Sequence, residues 1–471
     1  MSDAEHLVTG SLVTGEGDTY ARKSPVDGSS LVGTMVSATQ AVTATETAHA
    51  AQPAMAALGV MERRAALLDL AARLEADSDT LAALVTIENG CPSAQAAGLQ
   101  VGSAVSLLKA YAELIEGFVF EERRTGLRGG TTHILHQPVG AALGIVPWNV
   151  PLFLACMKLA PAICAGCPIV LKPSPESIGS MGRFAAHLAD LPLPKGAVQS
   201  VTGDADIGRT MVADGRFAKI SFTGSTTAGR HVGMAAMERF ARVTLELGGK
   251  GAAILVDDLD PANLPDELWL AMMQNNGQVC GAQSRILVPA SRAAAYEEAL
   301  VALVDGMRFG NPLDTATQIG PVVSADAAQR IGAMVSADVI AGGTLLTPSR
   351  PAPGDAYVAP ALIRPSAPDA AIVTDELFGP VATVQTYRTE AEAIAMANDH
   401  RYGLSGSVWS ADPERAAILA RSLKTGTVGI NSKKILDFGS PFGGWRESGV
   451  GRELGPEGIA SYTETTTILA P

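Results

Sequence analysis

The sequence predicts an α/β protein of at least two domains, the first built on a mostly parallel, doubly wound sheet. Three observations lead there. A chain of 471 residues exceeds what one ordinary core organises. From about residue 142, short apolar runs rich in Val, Ile and Leu alternate with helical patterns, as parallel strands covered on both faces require. A second strand–helix series follows Gly251, with no internal repeat and no low-complexity linker between the two. The domains are therefore expected to pack closely, with the chemistry in the crevice between them.

Taken in order, the first 118 or so residues read as a short strand region followed by helices. Leu67, Leu68, Ala71 and Leu74 recur at helical spacing, and Asp77 and Asp79 mark a break and a new helix start. Between 119 and 138 the pattern turns extended, with 120–124 and 131–136 flanking a turn at Gly129 and Gly130. The first series then has strands at 142–146, 168–171, 198–201, 219–222 and 243–246, with helices at 151–165 and 177–190. The second has strands at 286–288, 381–385, 405–408 and 427–430, with helices at 292–304, 325–335, 390–397 and 413–423. The stretch 461–468 has strand composition. A lone strand must satisfy its backbone, so it is expected to pair with the 119–138 hairpin or with another subunit.

Composition excludes several classes. Hydrophobic residues at 47% and charged residues at 18% suit a well-buried globular enzyme. A net charge of −13 disfavours a nucleic-acid or anionic-membrane partner, since both need clustered positive charge. Five irregularly spaced cysteines do not form a disulfide framework and point to a reducing compartment. Residues 1–6 lack a basic region followed by an apolar core, and the apolar run 151–171 is broken by Lys158, Pro161 and Pro168. A cytoplasmic protein without a membrane span is expected.

Two short segments carry the chemistry. Glu246 stands in Thr244-Leu245-Glu246-Leu247-Gly248-Gly249-Lys250, and Cys280 stands 34 residues later in Gly277-Gln278-Val279-Cys280-Gly281-Ala282. A thiol that attacks a carbonyl and a carboxylate that activates water form a complete pair for covalent catalysis. The small and polar neighbours Asn275, Asn276, Gly277 and Gln278 place Cys280 on a loop at the domain junction, where a positive or dipolar surrounding could lower its pKa. No histidine motif accompanies it, so a cysteine protease gains little support. An acid ending an apolar strand is ordinarily just solvated, but the glycines beside Glu246 give it room to move.

Other segments supply binding groups. In Pro147-Trp148-Asn149-Val150-Pro151, Asn149 follows a strand and precedes a helix. Its amide could donate to an oxyanion, worth ~3–4 kcal/mol for one such donor, or it could be a plain turn asparagine. Phe222-Thr223-Gly224-Ser225 opens a helix, where free amides suit a pyrophosphate; an ordinary helix cap is the alternative. Lys172-Pro173-Ser174-Pro175-Glu176 adds a cation, a hydroxyl and a carboxylate. Glu376-Leu377-Phe378-Gly379-Pro380 and Pro441-Phe442-Gly443-Gly444-Trp445-Arg446 complete the set, or are loop punctuation. Cys164-Ala165-Gly166-Cys167 reads as a buried helix end feeding a strand, and Cys91 and Cys156 carry no partner signal.

In this order, from about residue 20 to the end of the chain, these segments resemble the NAD(P)-dependent aldehyde dehydrogenase superfamily. The resemblance implies an aldehyde dehydrogenase-like α/β fold: two doubly wound domains with a small β oligomerisation arm. The implied division is a dinucleotide-binding domain at 1–118 and 139–247, a catalytic domain at 248–450, and the arm at 119–138 and 458–471. It implies Cys280 as nucleophile, Glu246 as general base, and Asn149 as oxyanion donor together with the Cys280 backbone N–H. Val146, Pro147, Trp148, Lys172, Ser174, Glu176, Gly208, Phe222, Gly224, Ser225, Leu247, Glu376 and Phe378 fall at the cofactor. Among these, Lys172 and Glu176 match adenosine-ribose contacts and Glu376 the nicotinamide-ribose ligand. Lys158 matches a lysine near the site. The implied cycle runs through a thiohemiacetal and a thioester on Cys280, hydrolysed by water that Glu246 activates, with no metal. A homodimer or homotetramer is implied as well.

Two positions depart from the family pattern. The residue three after Lys172 is often glutamate, whereas here it is Pro175, with the acid at Glu176; NAD is expected, and NADP stays open. Arg446 stands where the motif often has lysine. Family topology lines the substrate pocket with Val150, Leu154, Met157, Val279, Gly281, Leu436 and Phe442. These apolar residues suit a medium-chain, terpenoid or aromatic aldehyde over a charged one such as betaine aldehyde, which would want acidic or aromatic-box contacts. The alternatives are a CoA-acylating semialdehyde dehydrogenase, which Glu246 argues against, and a catalytically silent protein of the same fold. A thioesterase without redox chemistry would not explain the dinucleotide segments.

Overall fold

The computed structural model describes residues 5–471. Its first sheet has eight strands, five of them parallel in the order Arg242–Glu246, Lys219–Thr223, Ala142–Val146, Ile169–Pro173 and Val198–Ser200. Four of the five carry apolar runs because helices cover both faces. The helix Pro151–Ala165 is buried at every position and packs under the helices Val60–Ala76 and Ser103–Gly117. The N-terminal hairpin of Glu5–Val8 and Ser11–Thr14 closes one edge of the sheet antiparallel.

The second sheet has seven strands, in the order Thr344–Leu345, Ala361–Arg364, Val381–Tyr387, Arg285–Pro289, Ala252–Leu255, Ser405–Trp409 and Thr427–Ile430. All its pairings are parallel except the first. Two strands missing from the sequence reading, Ala252–Leu255 and Ala361–Arg364, have four residues each. Such short runs have no period that separates strand from buried coil.

In the third sheet Thr463–Ala470 pairs along its full length with Thr131–Pro138, which pairs in turn with Glu121–Thr125. The C-terminal strand thus finds its partner within the chain. One further contact ties the two large sheets together. The short strand Gly449–Val450, which follows the whole second series in sequence, pairs antiparallel with Leu245 and Glu246 at the edge of the first sheet. The ends of the parallel strands, where ligand crevices form in such sheets, therefore open beside Glu246. Among the described residues no helix is long and apolar enough to cross a membrane.

Candidate active site

The nucleophile loop is built from left-handed backbone. Asn275, Asn276 and Gly277 have φ of 53°, 59° and 73°. Asparagine tolerates this region better than other residues with a Cβ, but it still needs external support. The Asn276 amide donates to the Gly90 and Pro321 carbonyls at 2.8 and 2.7 Å, and its oxygen accepts from the Gly320 N–H at 2.7 Å. The Asn275 N–H donates to Gln95 at 3.0 Å, and the Gln278 side chain accepts from the Val323 N–H at 2.8 Å. A Cβ at Gly277 would fall 2.1 Å from the Gly379 carbonyl, so only glycine fits there. Cys280 emerges from this loop half-buried and free.

Its surroundings are the reverse of the cationic ones considered from sequence. Burial pushes the Cys280 thiol up to about 12, with Glu376 and Glu246 adding to the effect. Such a setting favours the protonated thiol.

Asn149 is buried at the entry to the Pro151–Ala165 helix. Three side-chain amides hold its backbone carbonyl: Asn89 at 2.9 Å, Gln100 at 3.0 Å and Asn275 at 3.0 Å. Its own amide donates to the Gln278 carbonyl at 3.0 Å. A carboxamide carries two N–H donors, so one is left to face a reacting oxygen. Asn89 and Gln100 were not singled out from the sequence, and Asn276 and Gln278 were read only as loop neighbours of Cys280. Their signal is a buried amide inside an otherwise apolar pattern, which reads as noise until the fold joins them.

Glu246 is 2% exposed, and neither carboxylate oxygen has a hydrogen-bond partner. Burial raises its pKa well above the ordinary value; the Glu453 charge adds to this and Lys158 opposes it. Lys158, fully buried, donates to Glu453 at 2.9 Å, Thr223 at 2.8 Å and Ser221 at 3.2 Å. The Ser221 hydroxyl also donates to Glu453. A buried lysine and two buried acids thus share one pocket, and the charge on one sets the basicity of the next. A Cβ at Gly443, where φ is +156°, would lie 2.8 Å from the Glu246 carboxylate, so this glycine keeps space open for the acid.

The cofactor residues fall in two groups. Lys172, Ser174, Glu176, Gly208 and Phe222 line one cleft of about 920 Å³, together with Pro175, Arg209 and His231. Burial lowers Lys172 to about 8, against the pull of Glu176 and Asp204. Ser174 donates its hydroxyl to Glu176. Ser225 caps the helix Thr226–Met237 by accepting from the Ala228 N–H at 3.3 Å, the ordinary role weighed for it. Gly224 leaves room for the Phe222 ring, which a Cβ would meet at 2.6 Å. Leu247 packs on Gly229 of that helix, where a Cβ would come within 2.3 Å.

The second group lies at the crevice. Glu376 accepts from the Gly249 N–H at 3.1 Å, and burial raises it to about 7. Phe378 stands edge-on to Trp148 at 5.6 Å, in the turn of Pro147 that follows Val146.

On the substrate side, Val150, Leu154, Met157 and Phe442 are buried, and Val279 and Leu436 are half-buried. Ile435, one residue before Leu436, packs directly on Gly281; a Cβ there would meet it at 2.1 Å. The sequence offered no signal for it beyond its place in a loop. Phe153 and Phe438 pack with ring centroids 6.1 Å apart. Phe438, Phe118 and Leu114 then line an open cleft of about 560 Å³, with Glu113 and Asp437 also in its wall.

A half-buried thiol, an anchored amide and a buried, unpartnered carboxylate meet where the two large sheets adjoin, an arrangement suited to an aldehyde-oxidising enzyme. Comparison with known proteins agrees. The description "Aldehyde dehydrogenase family" matches residues 12–468, and the chain belongs to that family. It is 40% identical to a geranial dehydrogenase of Castellaniella defragrans over 83% of this chain and 81% of that protein. It is 36% identical to a succinate-semialdehyde dehydrogenase of Paenarthrobacter nicotinovorans over 93% of this chain and 98% of that one. Its fold superposes on a Mycobacterium tuberculosis aldehyde dehydrogenase complexed with NAD+ at a TM-score of 0.95, with 34% identity, covering 100% of this chain and 98% of that one.

Proposed function

We propose that this protein oxidises an apolar aldehyde to its carboxylic acid with NAD, through covalent intermediates on Cys280. The observation that carries the reading is the convergence on Cys280: the carboxylates of Glu246 and Glu376 act on its thiol, and Asn149 is pinned to the Gln278 carbonyl two residues away. The eight-stranded unit then supplies the dinucleotide site and the seven-stranded unit the nucleophile.

The Cys280 sulfur bonds to the aldehyde carbon as its proton leaves to solvent, which keeps Glu246, made more basic by burial, free for the later step. The oxyanion that forms is held by the free N–H of Asn149 and the Cys280 backbone N–H. NAD, when bound, would supply the hydride acceptor; loss of hydride from the tetrahedral carbon leaves a thioester on Cys280. Glu246 then takes a proton from water, the water oxygen attacks the thioester, and the thiol and carboxylic acid are released. Glu376 would hold the ribose next to the ring, and Lys172 and Glu176, which line the large cleft, would hold the adenosine ribose. A fully buried base makes hydrolysis the favoured exit over transfer to an external thiol.

One feature supports an apolar substrate: the uncharged lining from Val150 to Phe442. A geranial dehydrogenase among the relatives agrees with a terpenoid or medium-chain tail. The exposed Met234, Met237, Phe240 and Leu469, with Thr463–Ala470 at the edge of its sheet, suit a homo-oligomer. Five free cysteines suit the cytoplasm.

The test is turnover without CoA. Geranial, octanal, benzaldehyde, succinate semialdehyde and betaine aldehyde are each offered with NAD or NADP, and reduced nicotinamide is followed. The highest kcat/KM is expected with geranial or octanal and NAD. The best kcat/KM on betaine aldehyde or succinate semialdehyde would sink the apolar assignment, and a strict need for CoA would sink the hydrolytic one.

A further inference from the structure

Immediately after Gly248-Gly249, the chain borders a small cavity that shares no lining residue with the large cleft of Lys172 and Glu176. Its walls include Lys250, Arg285, Lys424, Asn398, Tyr402 and Thr425, and no carboxylate. This is unexpected in a chain of net charge −13. Lys250 is 2% exposed and its ammonium has no hydrogen-bond partner; the buried Thr425 hydroxyl has none either. Buried polar groups are almost always paired, and a buried cation without an acceptor is costly. Two such groups on one cavity mark a missing acceptor.

Arg285 cannot supply it, being itself a donor. Its guanidinium donates to the Lys250, Met396 and Ala397 carbonyls at 2.9, 2.9 and 3.1 Å, which fixes its positive charge at the wall. The nearest acids lie outside the lining, and Glu376 is engaged with the Gly249 N–H at 3.1 Å. His400, close by, is pushed down to about 4 by burial and by the charges of Arg285 and Lys250, as a positive local field requires.

We propose that this cavity is a site for one small monovalent anion, a halide, held by the Lys250 ammonium and the Thr425 hydroxyl beside the Arg285 guanidinium. The free volume is about 20 Å³, room for a single water-sized particle and too little for phosphate or sulfate. The site touches the machinery on two sides. Ser405, which also lines it, donates to the Gly281 carbonyl at 2.8 Å, next to Cys280. Gly249 lies against the Cys280 carbonyl, where a Cβ would come within 2.2 Å, and donates to Glu376. An anion on Lys250 would therefore compete with Glu376 for the same positive charge.

Burial lowers Lys250 to about 7. An anion binds the charged form, so occupancy is full at lower pH and falls as pH rises through that value. The facing charges are Arg285 and Lys424 in the wall, with Glu376, Asp375, Asp399, His400 and Arg401 just outside it. The site does not depend on which aldehyde the enzyme takes.

Bromide soaked into crystals of the intact protein tests this directly. An anomalous peak within hydrogen-bond distance of Lys250 Nζ and Thr425 Oγ1 is expected, and it should vanish in Lys250→Met. Water alone at that position, or bromide at surface lysines only, overturns the proposal. In solution, chloride-35 line broadening by the intact protein should drop several-fold in Lys250→Met and between pH ~6 and ~9, across the range where a lowered lysine titrates. Thr425→Val keeps the charge and the fold should tolerate it; a weaker chloride effect is expected there too. Broadening unchanged in both variants and across pH overturns the proposal.

Discussion

Asn276 and Glu246 are buried side chains of one site, and the structure treats them in opposite ways. Asn276, 0% exposed, has both amide atoms engaged with backbone groups of two separate segments, at Gly90 and at Gly320-Pro321. Glu246, 2% exposed, has neither oxygen engaged. A satisfied polar group in a dry interior holds a shape and reacts with nothing. An unsatisfied carboxyl there prefers its neutral form, and so becomes a stronger base once ionised. The first region stores a strained loop in the one geometry that presents Cys280. The second keeps a proton acceptor uncommitted until water arrives.

The predictions separate holding from reacting, from the largest effect down. Cys280→Ser should lower kcat by roughly 10⁴-fold or more, as for loss of other catalytic nucleophiles, while NAD binding followed by fluorescence stays intact. Dehydrogenase activity within tenfold of wild type would remove Cys280 from the chemistry. Glu246→Gln should cost ~10²–10⁴-fold in steady state, the range for general-base loss, with no change in thermal stability beyond a small gain from removing a buried acid. Asn149→Ala should cost ~10²–10³-fold in kcat/KM; an effect on KM alone would make it a structural residue.

Asn276→Ala belongs to the other region and should behave differently. It leaves the Gly320 N–H without its side-chain acceptor and the Gly90 and Pro321 carbonyls without their donor. About 1–3 kcal/mol of unfolding free energy is expected to be lost for each such group, read by urea denaturation, along with kcat. Stability unchanged by this substitution would mean that the loop holds itself.

The smallest effect is on pH. Glu246 works ionised, so hydrolysis rises with pH through its raised pKa. Burial is the first cause of that rise and the Glu453 charge the second. Glu453→Gln removes the second cause and should move the rising limb to lower pH, while Lys158→Met removes the opposing charge and should move it higher. Shifts in the same direction for both variants would break the charge-coupling account.

The sequence disclosed the reacting groups more readily than the groups that hold them. Glu246, Cys280, Asn149 and Glu376 stand in short glycine-flanked segments whose residue types state a chemistry. The five parallel strands of the first sheet were legible because apolar runs between helices admit few other structures. The amides of Asn89 and Gln100 were not legible, because the Asn149 carbonyl they hold lies 60 and 49 positions away. The strand Gly449–Val450 has two residues and no pattern at all; its pairing with Glu246 is a product of tertiary packing. The state of the Cys280 thiol was hidden for the same reason, since only the fold places two carboxylates beside it.

The most direct measurement is a pre-steady-state trace of Glu246→Gln mixed with NAD and geranial or octanal. The account predicts a rapid burst of reduced nicotinamide equal to one per Cys280, followed by slow turnover, with an acyl group on Cys280 detectable by mass spectrometry. Turnover at the wild-type rate with no burst and no acyl-enzyme would contradict it.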